Sequence, residues 1–179
     1  MSSIKNTRIL DVLNGLPVDK TPVWIMRQAG RYLPEYKETR KKAGSFLGLC
    51  KNPDLASEVT IQPLKRFDLD AAIIFSDILT IPDAMGLELK FEDNRGPFFD
   101  KPLSNSDEVN SLDPNNIAKK LDYVANAIVE TKSKLNNEVP LIGFSGSPWT
   151  LSTYMVEGSA TKDFRKIRSA VFNNPEMVE

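Results

Sequence analysis

MRQAGRYLPEY, residues 26–36, follows the apolar run Val23, Trp24, Ile25 and Met26 and delivers two arginines straight out of it. A continuous apolar run opened by Pro22 suits a short strand of a parallel sheet covered on both faces. Residues 23–26 are therefore predicted to be a buried strand, with Arg27 at its carboxyl end. Gly30 and Pro34, set among polar residues, require the backbone to leave the sheet and turn before a helix begins. Arg27 and Arg31 then sit on a loop after a strand, where α/β sheets hold their ligands, and a guanidinium grips a carboxylate through a planar two-bond fork. Two such arginines can equally be solvated charges or partners of Glu35 and Glu38, and taken singly each favours that plainer account.

Outward from this turn, the chain alternates helical and strand patterns. Thr7, the apolar residues Ile9, Leu10 and Leu13, and Gly15 give the cap, stripe and stop of a two-turn helix. Residues 34–43 suit a short helix, and Asn52 with Pro53 opens a longer one that Pro63 should kink or divide. AAIIF, within residues 69–75, is a second buried strand and ends in Ser76 and Asp77. Aspartate before Ile78 and Leu79 is a good helix cap, and composition alone favours that role for Asp77. Leu87, Leu89 and Phe91, then NRGP, then Phe98 and Phe99 predict a β-hairpin with a solvated Arg95 at its tip. Asp113 and Pro114 are expected to open the longest helix, running to Asn136 with Ile117, Leu121, Val124, Ile128 and Leu135 on one side. Residues 139–144 form a third buried strand, and SGSPW turns into a helix that carries Tyr154. A core or interface tyrosine with its hydroxyl bonded to backbone is the common fate of such a residue. Trp24 and Trp149 are expected in the core. Another helix is predicted from Phe164, and the closing NNPEMVE starts one too short to stand, so the sequence is expected to break off within a domain.

Charge and composition narrow the classes of partner. With 23 basic and 24 acidic residues and a net charge of −1, no basic face is offered to nucleic acid or to an anionic membrane. The apolar runs are too short for a signal peptide or a membrane span, and the lone Cys50 excludes a disulfide framework, which together suit a cytoplasmic protein. Histidine is absent, leaving carboxylates as the metal ligands available, so no zinc or haem site is expected. Strands alternating with helices, each strand ending in a polar turn, predict an α/β fold with a parallel sheet.

PVWIMRQAGRYLPEY resembles, almost residue for residue, the N-terminal signature of the uroporphyrinogen decarboxylase family, haem-pathway enzymes that convert the four acetate arms of a tetrapyrrole to methyls. AAIIFSDIL, residues 71–79, and GFSGSPWTLSTYMVEG, residues 143–158, resemble the same family in the same order, so the likeness covers nearly the whole chain. It implies a (β/α)8 TIM barrel with its active site at the carboxyl ends of the strands, of which residues 1–179 would be the N-terminal portion of a single, incomplete barrel domain. The resemblance also implies that Asp77 is the central catalytic carboxylate, with Arg27 and Tyr154 beside it in catalysis. Arg27, Gln28, Ala29, Gly30, Arg31, Asp77 and Tyr154 would contact uroporphyrinogen, with no metal and no organic cofactor, in a cytoplasmic homodimer. Family members carry further active-site residues in their second half, including a histidine, and activity is not expected of these 179 residues alone. Two alternatives stand beside this: a noncatalytic tetrapyrrole-binding module, and a corrinoid-linked methyltransferase of related architecture. The latter holds zinc with His and Cys, for which a chain with no His and one Cys offers no support.

Overall fold

The computed structural model describes residues 3–92 and 95–178. Its elements in chain order are α1 (Arg8–Leu13), α2 (Pro34–Lys42), α3 (Phe46–Cys50), α4 (Pro53–Arg66), β1 (Ala72–Ile73), α5 (Thr80–Ala84), β2 (Leu89–Glu92), β3 (Gly96–Phe99), α6 (Ser106–Asn110), α7 (Ile117–Lys120), α8 (Asp122–Leu135), β4 (Leu141–Ile142), α9 (Pro148–Glu157) and α10 (Arg165–Asn173), followed by a 3-10 turn, Pro175–Met177. They divide into two compact units. The first runs to Ser76 and resumes over Asp122–Phe144, and the second holds Asp77–Leu121 and the residues from Ser145 onward.

In the first unit β1 and β4 pair in parallel, Ala72 against Leu141 and Ile73 against Ile142, where AAIIF and LIGF predicted strands, although β4 is half-buried rather than buried. Parallel neighbours need a crossover rather than a tight turn, and α8 returns the chain to β4. Ala56 on α4 and Ala127 on α8 are small enough for both helices to approach Ile74, with Ile128 and Leu141 closing the cluster. A second cluster joins Leu33, Tyr36, Leu49 and Val59. Phe75 packs against both clusters, with the rings of Tyr36 and Phe46 edge-on at 5.8 and 5.7 Å. Asn52 caps α4 as expected, its Oδ1 accepting from the Leu55 amide at 3.0 Å. Pro63 does not end that helix, which runs on to Arg66. The missing donor is offset by a face on which Ala56, Val59, Thr60, Gln62 and Pro63 are all buried.

Residues 23–26 depart from the expectation of a buried strand. They have no strand pairing, and Val23, Trp24, Ile25 and Met26 are 38% to 64% exposed. An apolar run records a preference for burial, but a ladder needs a neighbour in register along its length. Here side chains and single backbone bonds do the holding, as described below. Trp24 is correspondingly no core residue.

The second unit contains the predicted hairpin, with β2 and β3 antiparallel from Leu89–Phe99 to Glu92–Gly96. Asn94 of its expected turn lies outside the described residues. Arg95 is not merely solvated, since its guanidinium lies 3.6 Å from the Phe98 ring centroid. Ser147 caps α9 and Pro148 opens it, while Gly158 ends it in the left-handed region at φ 84°. A Cβ on Gly158 would also lie 3.2 Å from the Phe99 carbonyl oxygen and 3.3 Å from Pro102, so both conformation and space require glycine. Trp149 is 53% exposed rather than in the core. The single long helix expected from Asp113 is instead two, α7 and α8. Asn116 is left-handed at φ 56°, and Leu121 breaks the helical run between them.

Candidate functional site

The turn after residue 26 is built around Gln28, whose side chain is fully buried. Its Oε1 accepts from the Ile25 amide at 3.2 Å and its Nε2 donates to the Ala71 carbonyl at 3.1 Å. The Gln28 amide bonds back to the Ile25 carbonyl at 3.0 Å, and the Tyr32 hydroxyl donates to the Gln28 carbonyl at 2.5 Å. Leu33, also buried, closes the loop through its amide to Gly30 at 3.0 Å.

What this leaves outward is a set of donors. Arg27 and Arg31 are exposed, and among the described residues neither guanidinium has a hydrogen bond or ion pair. Glu35, the nearest acidic partner by sequence, is taken by Arg66, whose Nε and Nη2 meet its two oxygens at 2.9 Å each. The backbone amides of Arg27, Ala29, Gly30 and Arg31 likewise donate to no acceptor among the described residues. Ala29 packs against the Leu33 cluster, and Gly30 has ordinary contacts around the place of a Cβ. These two residues thus offer backbone rather than side-chain chemistry. A turn with two uncommitted guanidiniums and four free N–H groups is suited to an anion, above all a planar carboxylate.

Asp77 and Tyr154 belong to the second unit, Asp77 on the loop before α5 and Tyr154 on α9. One oxygen of Asp77 accepts from the Leu79 amide at 2.8 Å, a local turn bond rather than the expected helix cap, since Leu79 stands at the N-cap of α5 and that helix has no side-chain cap. The other oxygen has no partner among the described residues. Burial pushes the Asp77 carboxyl above the ordinary aspartate value, the Leu79 amide pulls it partly back, and Asp83 adds to the upward push. Tyr154 lies half-buried on α9, with its hydroxyl unbonded among the described residues, and no hydrogen bond joins it to Asp77. Its neighbours Ser152 and Thr153 turn their hydroxyls back on the helix, to the carbonyls of Pro148 and Trp149. Tyr154 is thus the polar group there that is left for a ligand. Among the described residues no three acidic, His or Cys side chains lie together as a metal site.

Sequence patterns did not point to Asp70 or to the inward direction of Gln28. Asp70 is 2% exposed and anchors the other end of the exposed apolar segment. The available signal was a charge placed directly before AAIIF, a position that demands partners if it is buried.

Comparison with known proteins agrees on one family. A family model described as uroporphyrinogen decarboxylase (URO-D) matches residues 4–179. Proteins of that name from Pseudoalteromonas atlantica and Vibrio campbellii are each 59% identical over 176 residues, covering 98% of this chain and 50% of the relative. The one from Teredinibacter turnerae is 58% identical over 177 residues, covering 99% of this chain and 50% of the relative. The chain thus spans about half the length of the curated relatives it matches. Among solved structures, a methyltransferase from Methanosarcina mazei superposes with a TM-score of 0.75 over 99% of this chain and 51% of that one. At 21% identity this likeness concerns the fold alone.

Proposed function

The chain belongs to the uroporphyrinogen decarboxylase family, and we propose that it serves the reaction that name describes, removing the acetate carboxyls of uroporphyrinogen to give coproporphyrinogen and CO2. The observation that carries this is the turn at residues 27–31, with guanidiniums and amides left uncommitted and its acidic neighbour Glu35 already held by Arg66. An octacarboxylate substrate offers many planar anions to such a turn, and bidentate contacts would fix both place and orientation.

Decarboxylation of a pyrrole acetate can draw on the ring itself as electron sink. A ring carbon gains a proton and the ring becomes an iminium-like cation. The C–CO2 bond electrons move into the ring as CO2 leaves. The exocyclic carbon then takes a proton to become methyl, and the ring proton is released, so each acetate consumes one proton net. Asp77 is the group we assign to the cation. Its half-buried carboxylate is costly while alone and relieved when a positive charge develops beside it, a gain realised in the transition state rather than in the ground state. Arg27 and Arg31 hold substrate carboxylates and Tyr154 donates a hydrogen bond to another. Arginine is a poor proton donor because it scarcely deprotonates, and the donor is left unassigned.

The family reading carries with it a homodimeric, cytoplasmic protein that acts in porphyrin biosynthesis without a metal or organic cofactor. No helix of the described residues is long and apolar enough to cross a membrane. Its incomplete (β/α)8 barrel and the extent of its single domain over residues 1–179 are part of the same proposal. Turnover of uroporphyrinogen by the full-length protein tests it, with Arg27→Lys and Arg31→Lys as variants that keep charge and lose the fork. A fall in kcat/KM in both is expected. Normal turnover with lysine at both positions would remove the carboxylate role.

A further inference from the structure

We propose that Gln28 is a positioning residue rather than a substrate contact, fixing the turn that carries Arg27 and Arg31 to the backbone at Ala71 and so setting where the two guanidiniums stand. The inference rests on the carboxylate role given to those arginines above.

The geometry assigns Gln28 this part through four bonds at one residue. Its carboxamide takes the Ile25 amide and gives to the Ala71 carbonyl, its own amide returns to the Ile25 carbonyl, and its carbonyl receives the Tyr32 hydroxyl. Ile25 thereby has both backbone polar groups satisfied by Gln28. A side chain 0% exposed and bonded in this way is turned away from any ligand, while Arg27 and Arg31 on either side are exposed. The inward residue and the outward pair are consequences of one backbone path.

Such a latch matters because residues 23–26 have no ladder of their own. Their attachment beside β1 consists of the two backbone groups of Val23 meeting Asp70 at one end, and Gln28 reaching Ala71 at the other. In a regular strand pair the register is secured by repeated main-chain bonds, and losing one changes little. Here one carboxamide stands at the arginine end alone. The chemistry also selects glutamine. The group must donate to one carbonyl and accept from one amide at once, without titrating, and asparagine is a methylene too short to span the same two partners.

The test compares three variants in the full-length protein, with uroporphyrinogen as substrate and amide hydrogen exchange at Ile25 as the structural readout. Gln28→Met keeps the volume and loses both side-chain bonds. Faster exchange at Ile25 together with a kcat/KM lower by roughly 10- to 100-fold is expected, the scale of a misplaced binding group. Gln28→Glu keeps shape, but its ionised form has no donor for the Ala71 carbonyl, whereas the protonated acid both donates and accepts. Its activity relative to wild type should therefore recover as pH falls, a response that packing alone would not produce, and this variant serves if Gln28→Met fails to fold. Arg27→Lys separates the two ideas. If it is impaired while Gln28→Met and Gln28→Glu have wild-type kinetics at every pH, Gln28 positions nothing that matters and this proposal falls alone. If Arg27→Lys is also unimpaired, the carboxylate role falls and takes the proposal with it.

Discussion

Asp70 binds both backbone polar groups of Val23: its Oδ2 accepts the Val23 amide at 2.7 Å, and its own amide donates to the Val23 carbonyl at 2.8 Å. Its Oδ1 meanwhile accepts from Asn6 at 2.9 Å and from Arg8 Nη1 at 3.0 Å, and Arg8 reaches on to both oxygens of Asp19. One buried carboxylate thus ties the first helix, the exposed apolar segment and the start of β1 together.

Asp70→Ala is accordingly expected to lower unfolding free energy by about 1–3 kcal/mol, the scale for leaving buried donors unpaired. The pH dependence follows from the direction of its titration. Burial pushes Asp70 up, but Asn6, the Val23 amide and Arg8 outweigh it and hold the carboxyl below the ordinary value of 3.8. The folded protein then binds fewer protons than the unfolded chain, so this stabilisation is complete above 3.8 and is lost as pH falls through the lower folded value. Urea midpoints at neutral and acid pH would check it. A variant deficit that stays as large at low pH as at neutral pH would remove the ionic part of the account.

Asp77 carries the opposite sign. With its carboxyl raised by burial, the folded state binds more protons than the unfolded one just above the ordinary aspartate value, so ionising Asp77 weakens folding as pH rises through that interval. Asp77→Asn keeps an acceptor for the Leu79 amide and should be at least as stable as wild type near neutrality. Its turnover is expected to be lower by roughly 10²-fold or more, the scale for one preorganised electrostatic group. The acid limb of kcat/KM should lie above the usual aspartate range in the wild type and vanish in the variant. A folded Asp77→Asn protein with near-normal turnover would return the residue to its turn-forming role.

Tyr154→Phe separates binding from packing. Its hydroxyl has no hydrogen bond among the described residues, so the melting temperature should not change. Transition-state binding should weaken by about 0.5–1.5 kcal/mol, measured as kcat/KM. Unchanged kinetics would make Tyr154 a packing residue.

The 179-residue chain expressed by itself is expected to self-associate and to show no measurable decarboxylation, because Val23, Trp24, Ile25 and Met26 form a contiguous exposed apolar run. Light scattering and a uroporphyrinogen assay would decide. A monodisperse, cooperatively melting, active chain would overturn both halves of that expectation.

Local chemistry was legible in the sequence wherever neighbouring residues settle it. Asn52 with Pro53 and Ser147 with Pro148 open α4 and α9 because a cap is satisfied within three residues of itself, and Pro34 opens α2 by its fixed φ alone, behind a Leu33 that makes no side-chain cap. AAIIF and LIGF located β1 and β4, though the paired stretch is only two residues in each. Residues 23–26 looked the same in composition, yet pairing depends on a neighbour that composition does not name. The spacing of Ile117, Leu121 and Val124 suggests one continuous helix because periodicity is blind both to the left-handed Asn116 before α7 and to the break at Leu121 between α7 and α8. In the candidate site, the arginines and Asp77 were singled out by the family resemblance, since type and position alone favoured plainer roles for each. The inward path of Gln28 and the partners of Asp70 did not, because they are bonds to residues more than forty positions away.

The way the hairpin meets α9 has a consequence for how the second unit opens. The carbonyls of Met155 and Gly158, at a helix end where carbonyls lack intrahelical partners, receive the Leu103 and Phe99 amides at 2.8 and 2.7 Å. The hairpin's base is therefore the end-stop of the helix, and neither can fray without stranding the other's groups. The two should behave as one cooperative block in native-state exchange, with the Phe99 and Leu103 amides sharing the opening free energy of the interior of α9. Tyr154, one turn before Gly158, inherits its steadiness from a β-ribbon that begins more than fifty residues earlier in the chain.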